Sequence, residues 1–184
     1  MMIDTKQRIA RNLETQFALM GFALPGVDAL RAGADVSLRT LYKYYPSREA
    51  MVIGALEYRN DAYMDWISGG PDHGTEHVLH IFNRLGDWQS EVACNGCLFL
   101  NALAAYTESL AIRKTVEHHK DQVRLAFETR LRAIAPNVKI EELSEALMTI
   151  HEGQTEMAMI QDTRTALKAA LLLARALLKS EDIT

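Results

Sequence analysis

Apolar residues recur three and four positions apart along almost the whole chain, and clean alternation of apolar with polar residues is nearly absent. That spacing belongs to amphipathic α-helices, each with one stripe to bury, so the chain is expected to be all-α, with about nine helices. The first is expected from Asp4, whose carboxylate can cap the first turn with Gln7 three residues on, through Ile9, Leu13, Phe17 and Met20 to Gly21. Short helices are expected at about 27–34 and 38–45, and Ser47, after Pro46, caps a long one reaching Ile67. "SGGPDHG" (68–74) is the clearest break, and helical patterns follow at about 75–92, 97–109, 111–134, 139–160 and 163–179.

Composition narrows the class further. Among 184 residues, 48% are hydrophobic and 24% charged, with four prolines and ten glycines, which is the balance of an ordinary globular protein. No apolar run approaches the roughly 20 residues that span a bilayer, and "MMIDTKQRIARN" lacks the apolar centre of a secretory signal, so a cytoplasmic protein without membrane contact is expected. Two cysteines make no disulfide framework. The net charge of −4 hides an asymmetry: residues 1–50 carry seven basic and five acidic side chains, a net of +2 on a body of −6. A mildly basic N-terminal quarter is compatible with a local polyanion contact.

Within that quarter, "ADVSLRTLYKYYPSRE" (34–49) compresses a helix start, a short basic-aromatic helix and a Pro-Ser break. Three short helices with a tight connection between the second and third make a helix-turn-helix, whose second member enters the DNA major groove. Here Ser37 caps that member, Leu41 with Tyr44 or Tyr45 can pack inward, and Arg39, Thr40, Tyr42 and Lys43 point out. Guanidinium, ammonium, hydroxyl and phenol groups donate to phosphates and base edges. On helix pattern alone, a solvated amphipathic helix explains the same residues equally well.

"GFALPGVDALRAGADVSLRTLYKYYPSREAMV" (21–52) resembles the N-terminal signature of TetR-type transcriptional repressors, the similarity covering about residues 6–55 with "TLYKYYPSREAM" as its specific core. The resemblance implies an all-helical homodimer with a helix-turn-helix DNA-binding domain over 1–50 and a ligand-binding and dimerisation domain over 51–184. It implies that Leu38 and Arg39 approach bases, that Ser37, Thr40, Tyr42, Lys43 and Tyr44 line the DNA face, and that Arg48 meets the DNA backbone. Two positions depart from the pattern. Asp35 replaces the turn glycine of the family's "AGVS", where a left-handed backbone is commonly needed. Arg31 replaces a small residue of the supporting helix and could pair with Asp35 four positions on. These departures keep open a head that has lost DNA binding.

In the body, "NGCLFLNALAAYTESL" (95–110) also resembles TetR-type members, with Ala105 in place of an acidic residue often found there. Candidate walls for an effector pocket are Trp66, Phe82, Leu85, Trp88, Phe99, Leu103, Phe127, Met148 and Met157; candidate anchors are Asn101, Tyr106, Gln122 and His151. Asn101 draws notice because a buried amide in an apolar run needs partners. The implied effector is a small, largely apolar molecule that releases a repressor from a palindromic operator in double-stranded DNA. The last two helical patterns carry a long apolar stripe through Leu143, Leu147, Ile150, Met157, Leu167, Leu171, Ala174 and Leu178, with small residues Gly153, Ala158, Ala170 and Ala174. In the TetR family the final helix pair forms a dimeric four-helix bundle, so a homodimer through these helices is implied.

Other chemistries have weaker footing. Cys94 and Cys97 have CxxC spacing without a second pair, and His73, His77 and His80 fall at i, i+4 and i+7, so thiol or metal sensing stays a secondary reading, with no metal or cofactor expected. The chain has no glycine-rich phosphate loop, HExxH or GxSxG motif, and "VEHHKDQ" (116–122) alone is no catalytic constellation, so a non-enzymatic protein is expected.

Overall fold

The computed structural model describes residues 4–93, 96–136 and 138–183. Their regular structure is helical throughout: α1 (Thr5–Met20), α2 (Val27–Gly33), α3 (Leu38–Tyr44), α4 (Arg48–Trp66), α5 (Gly74–Glu91), α6 (Leu98–Ala105), α7 (Leu110–Ile134), α8 (Ile140–Ile160) and α9 (Thr163–Ser180). The expected limits hold to within two residues except at α6, which stops four residues short of the anticipated 109. Tyr106 leaves helical geometry there (φ −128°, ψ 57°), and Ser109 caps the next helix by accepting the Ile112 N–H at 3.1 Å. Asp4 stands at the α1 N-cap, but its side chain makes no capping bond. No helix among the described residues is long and apolar enough to cross a membrane.

The chain forms two compact units, one of Met1–Ala62 with Cys97–His119, the other of Tyr63–Gly96 with Lys120–Thr184. In the first, the stripes of α1, α2, α3, α4, α6 and α7 meet in one core containing Leu13, Phe17, Leu30, Leu41, Leu56 and Ile112. Each such side chain contributes about 1.5–3 kcal/mol through burial. Tyr45 closes the core beneath α3. Its ring lies where Gly54 of α4 leaves room, since a Cβ at that glycine would collide with it. Its hydroxyl donates to the Lys6 carbonyl at 3.1 Å. Burial, reinforced by Glu57 and Asp4, pushes the phenol up to about 12. An ion pair of Glu14 with Arg59 ties α1 to α4 with both side chains nearly sequestered.

In the second unit α9 packs on α5 and α8. Ala166, Ala170, Ala174 and Leu178, four residues apart, are buried and form its inner edge. The Leu143, Leu147, Ala174 and Leu178 part of the expected stripe is therefore satisfied within this chain. Met157 of the same stripe stands exposed, together with Met159 and Ile160 on α8 and Leu172 and Leu173 on α9. The α4–α5 connection is held by side chains that donate to its carbonyls: Arg130 to Ile67 and Gly69 at 2.9 Å each, His80 to Ser68, and His77 to Pro71. His73 is the α5 N-cap, outside the helix that carries His77 and His80. Cys94 lies outside the described residues, so the CxxC pair is not described.

Candidate nucleic-acid interface

Between α2 and α3 the chain reverses in a Schellman turn: the Val36 N–H reaches the Arg31 carbonyl at 3.4 Å and the Asp35 N–H reaches that of Ala32 at 3.1 Å. Such a turn puts its penultimate residue in left-handed conformation, and Asp35 has φ 52°. The strain relative to glycine is about 1 kcal/mol. Val36 then packs on the core, and Ser37 starts α3 by accepting the Thr40 N–H at 3.1 Å. Arg31, Ala32, Asp35, Val36 and Ser37 line a cleft of about 420 Å³ at this corner. Arg31 does not meet Asp35. It pairs loosely with Asp28 at 3.8 Å, while Arg8 approaches the Asp35 carboxylate at 3.9 Å.

Leu41 is buried on the inner side of α3, and Leu38, Arg39, Tyr42 and Lys43 are exposed on the outer side, with Thr40 and Tyr44 half-buried between them. Lys43 Nζ stands 5.5 Å from the Tyr44 ring centroid. Ser37 and Thr40 share a hydroxyl contact at 2.9 Å. The structure thus gathers Ser37, Leu38, Arg39, Thr40, Tyr42 and Lys43 on one surface, with Tyr44 at its edge. Arg48 is not among them. Its guanidinium donates to Tyr106 Oη at 2.9 Å, to the Pro25 carbonyl at 2.7 Å and to the Phe22 carbonyl. Three intramolecular acceptors engage the donors expected to meet a DNA backbone, and Tyr106, expected in a ligand pocket, is one of them.

The remaining body candidates divide between the units. In the first, Phe99 lies parallel on His119, centroids 3.7 Å apart. His119 Nδ1 donates to Asn60 Oδ1 at 2.9 Å. Asn101 is exposed, not buried: α6 buries only Leu98, Phe99 and Ala102. In the second unit Trp66, Trp88, Phe82 and His151 join one aromatic cluster through Tyr63 and Phe127, with centroid separations of 5.3–6.2 Å. Met148 is buried, and Gln122 is half-buried. His151 sits at the centre of a chain of polar contacts. Tyr63 Oη is 2.6 Å from its Nε2, its Nδ1 is 3.1 Å from Glu152 Oε1, and Lys120 Nζ is 2.6 Å from Glu152 Oε2.

Burial pushes the His151 imidazole below its usual range, more than the neighbouring Glu152 raises it. Burial would raise the Glu152 carboxyl, but the bond from His151 and the Lys120 charge outweigh it and hold the group at about 2. An ionised carboxylate only accepts, so the neutral imidazole carries its proton on Nδ1 and Nε2 accepts from the Tyr63 hydroxyl. The chain of donors runs Tyr63 to His151 to Glu152, with Lys120 closing the far side.

No protein-family model and no curated protein sequence matches this chain. Solved structures do. A TetR-family transcriptional regulator from Streptomyces coelicolor superposes with a TM-score of 0.84 over 96% of this chain and 95% of its own, at 17% identity. The chain has the TetR-family fold. The reduced form of Escherichia coli NemR (0.78, 19% identity, 94% and 96% covered) and a TetR transcription regulator from Haloarcula marismortui (0.77, 15%, 94% and 97%) share it. At such identities the likeness is one of backbone, in which α1–α3 are the helix-turn-helix and the later helices the larger domain of the TetR-family fold. Within this TetR-type frame, sequence reasoning missed Tyr63, Lys120 and Glu152. Of these only Glu152 carried a local signal, as the neighbour of a buried histidine.

Proposed function

We propose that this protein is a ligand-responsive DNA-binding transcriptional regulator: a cytoplasmic homodimer, not an enzyme, that represses from a palindromic operator until a small, largely apolar molecule releases it. The observation that carries this reading is the outer face of α3, where Arg39, Tyr42 and Lys43 stand exposed on a helix fixed by a Schellman turn and a serine cap. Donors held in that way on a rigid short helix suit phosphates and base edges in a major groove. The reading takes residues 1–50 as the DNA-binding part and 51–184 as the part that binds ligand and partner. Exposed Met157, Met159 and Ile160 on α8 and Leu172 and Leu173 on α9 are apolar surface that dimerisation through these two helices would cover. The aromatic cluster around Tyr63 and His151 has the apolar walls and few polar atoms that such an effector needs, and the effector would have to open it. That effector must bind the DNA-incompetent state more tightly than the competent one, or it shifts nothing.

Selection of duplexes from a random pool by the purified full chain tests the proposal. Retained sequences with two-fold symmetry are expected; retention of none, or of symmetry-free sequences only, overturns it. A head that has lost DNA binding is the second reading, motivated by the strained carboxylate at Asp35, and the same selection returns it if no duplex is retained.

A further inference from the structure

Asp35 combines three features at the turn between α2 and α3. Its backbone is in the left-handed region, at φ 52°. Its side chain is 93% exposed, and its nearest basic group, Arg8 Nη1, is 3.9 Å away, beyond hydrogen-bond reach. It lines the cleft beside Ser37, the residue that starts α3. Strain alone carries nothing, because Asp182 after α9 has φ 56° in a like turn, with Ile183 N–H on the Leu178 carbonyl. The position differs. Asp182 ends the last helix, whereas Asp35 precedes by three positions the exposed pair Leu38 and Arg39. A carboxylate near passing phosphates weakens binding to every duplex, and glycine would relieve strain and charge together. A residue with both costs is accounted for if the carboxylate gains a partner in the right complex.

Resting on the DNA-binding reading, we propose that Asp35 is a specificity-determining residue that accepts a hydrogen bond from the exocyclic amino group of a cytosine in the operator's major groove. Of the four bases, cytosine and adenine present an amino donor there. Adenine sets the N7 acceptor beside its donor, which opposes a carboxylate. Cytosine presents N4–H₂ with no acceptor on its own ring edge, so a lone carboxylate suits it better than adenine. The same carboxylate repels phosphate on duplexes lacking the cytosine, and specificity comes from the attractive and the repulsive element together. Ser37 does not compete for the contact, since its hydroxyl already accepts the Thr40 N–H and touches the Thr40 hydroxyl. Arg31, on the same cleft and loosely paired with Asp28, is left to meet a phosphate beside it.

The test uses duplexes retained by the full-length wild-type chain, each C·G pair replaced in turn by T·A, with dissociation constants measured for wild type, Asp35→Asn and Asp35→Gly. Wild type is expected to lose about tenfold or more at one pair in each half-site. Asp35→Gly is expected to bind the original and that replaced duplex within about twofold of each other, and to bind non-operator DNA several-fold more tightly. Asp35→Asn should bind non-operator DNA like the glycine variant and keep a reduced cytosine preference, between those of wild type and Asp35→Gly, because its amide oxygen accepts the same bond without the charge. If Asp35→Gly changes affinity for all duplexes by one common factor, the aspartate acts through charge or backbone only and the inference is overturned. If the wild-type chain retains no duplex, the DNA-binding reading fails, and this inference with it. Melting curves of the three proteins confirm that each is folded, and the glycine variant relieves strain, so lost folding does not obscure the result.

Discussion

On α3, Arg39 and Tyr42 stand in water without an ionic or hydrogen-bonded partner among the described residues. On α8, His151 and Glu152 are joined to Tyr63 and Lys120 through contacts of 2.6–3.1 Å. Both segments are polar patches on amphipathic helices, yet their energetics differ. Exposed donors contribute little to folding, because water satisfies them as well as the protein does. A mutually satisfied chain with Tyr63 and His151 buried and Lys120 and Glu152 half-buried contributes through its members, most where removing one leaves a buried group without its partner. Groups kept unpaired at no structural benefit are available to a ligand; groups already paired must be separated before they can bind one. The outer face of α3 is thus open to a partner, whereas the groups of the aromatic cluster are already engaged with one another.

The largest effects should come from breaking groups that are already bonded. Glu152→Ala removes the acceptor of the buried His151 Nδ1–H and the carboxylate beside half-buried Lys120, and is expected to destabilise by about 1–2 kcal/mol, measured by urea unfolding. A loss below about 0.5 kcal/mol would mean that water already serves these groups. Arg48 lies in the N-terminal quarter but is bonded like the groups around His151. Arg48→Ala should cost about 2 kcal/mol by freeing the Pro25 and Phe22 carbonyls and Tyr106 Oη, while a surface arginine would cost almost nothing.

Acid should weaken the body with a definite sign. His151 is held below 6.5, so the unfolded chain binds its proton first and stability falls as pH drops below about 6.5. His80, lowered chiefly by burial, adds to the same slope. Glu152 adds a second loss as pH falls from about 4.5 towards about 2. Thermal unfolding between pH 7 and 5 should therefore show a smaller decline in His151→Asn than in wild type; equal slopes would contradict a neutral buried imidazole. A smaller effect belongs to Asp35→Gly, which should raise stability by about 1 kcal/mol on removing left-handed strain.

Much of this division was legible in the sequence, and what was not has a physical cause. Helical spacing located the helices because most bury one stripe, α4 with its more widely buried surface excepted, and breakers such as "SGGPDHG" set their ends. The end of α6 was misplaced because Ser109 prefers capping α7 to continuing α6. Asn101 was expected inward because its neighbours are apolar, but an eight-residue helix with one buried face leaves it in water. Arg48 bonds Tyr106 across 58 positions and Tyr63 bonds His151 across 88, and no local pattern records such pairings. The outer face of α3 was readable because exposure, charge and capping are all local there.

Whether the outer face of α3 binds DNA is read from the salt dependence of binding by Lys43→Ala. Lys43 is exposed, so the substitution should leave stability within about 0.5 kcal/mol of wild type. Binding to a selected duplex should weaken, and the slope of log affinity against log salt should become shallower by about one. Wild-type and variant slopes that coincide, at equal affinity, would contradict the account.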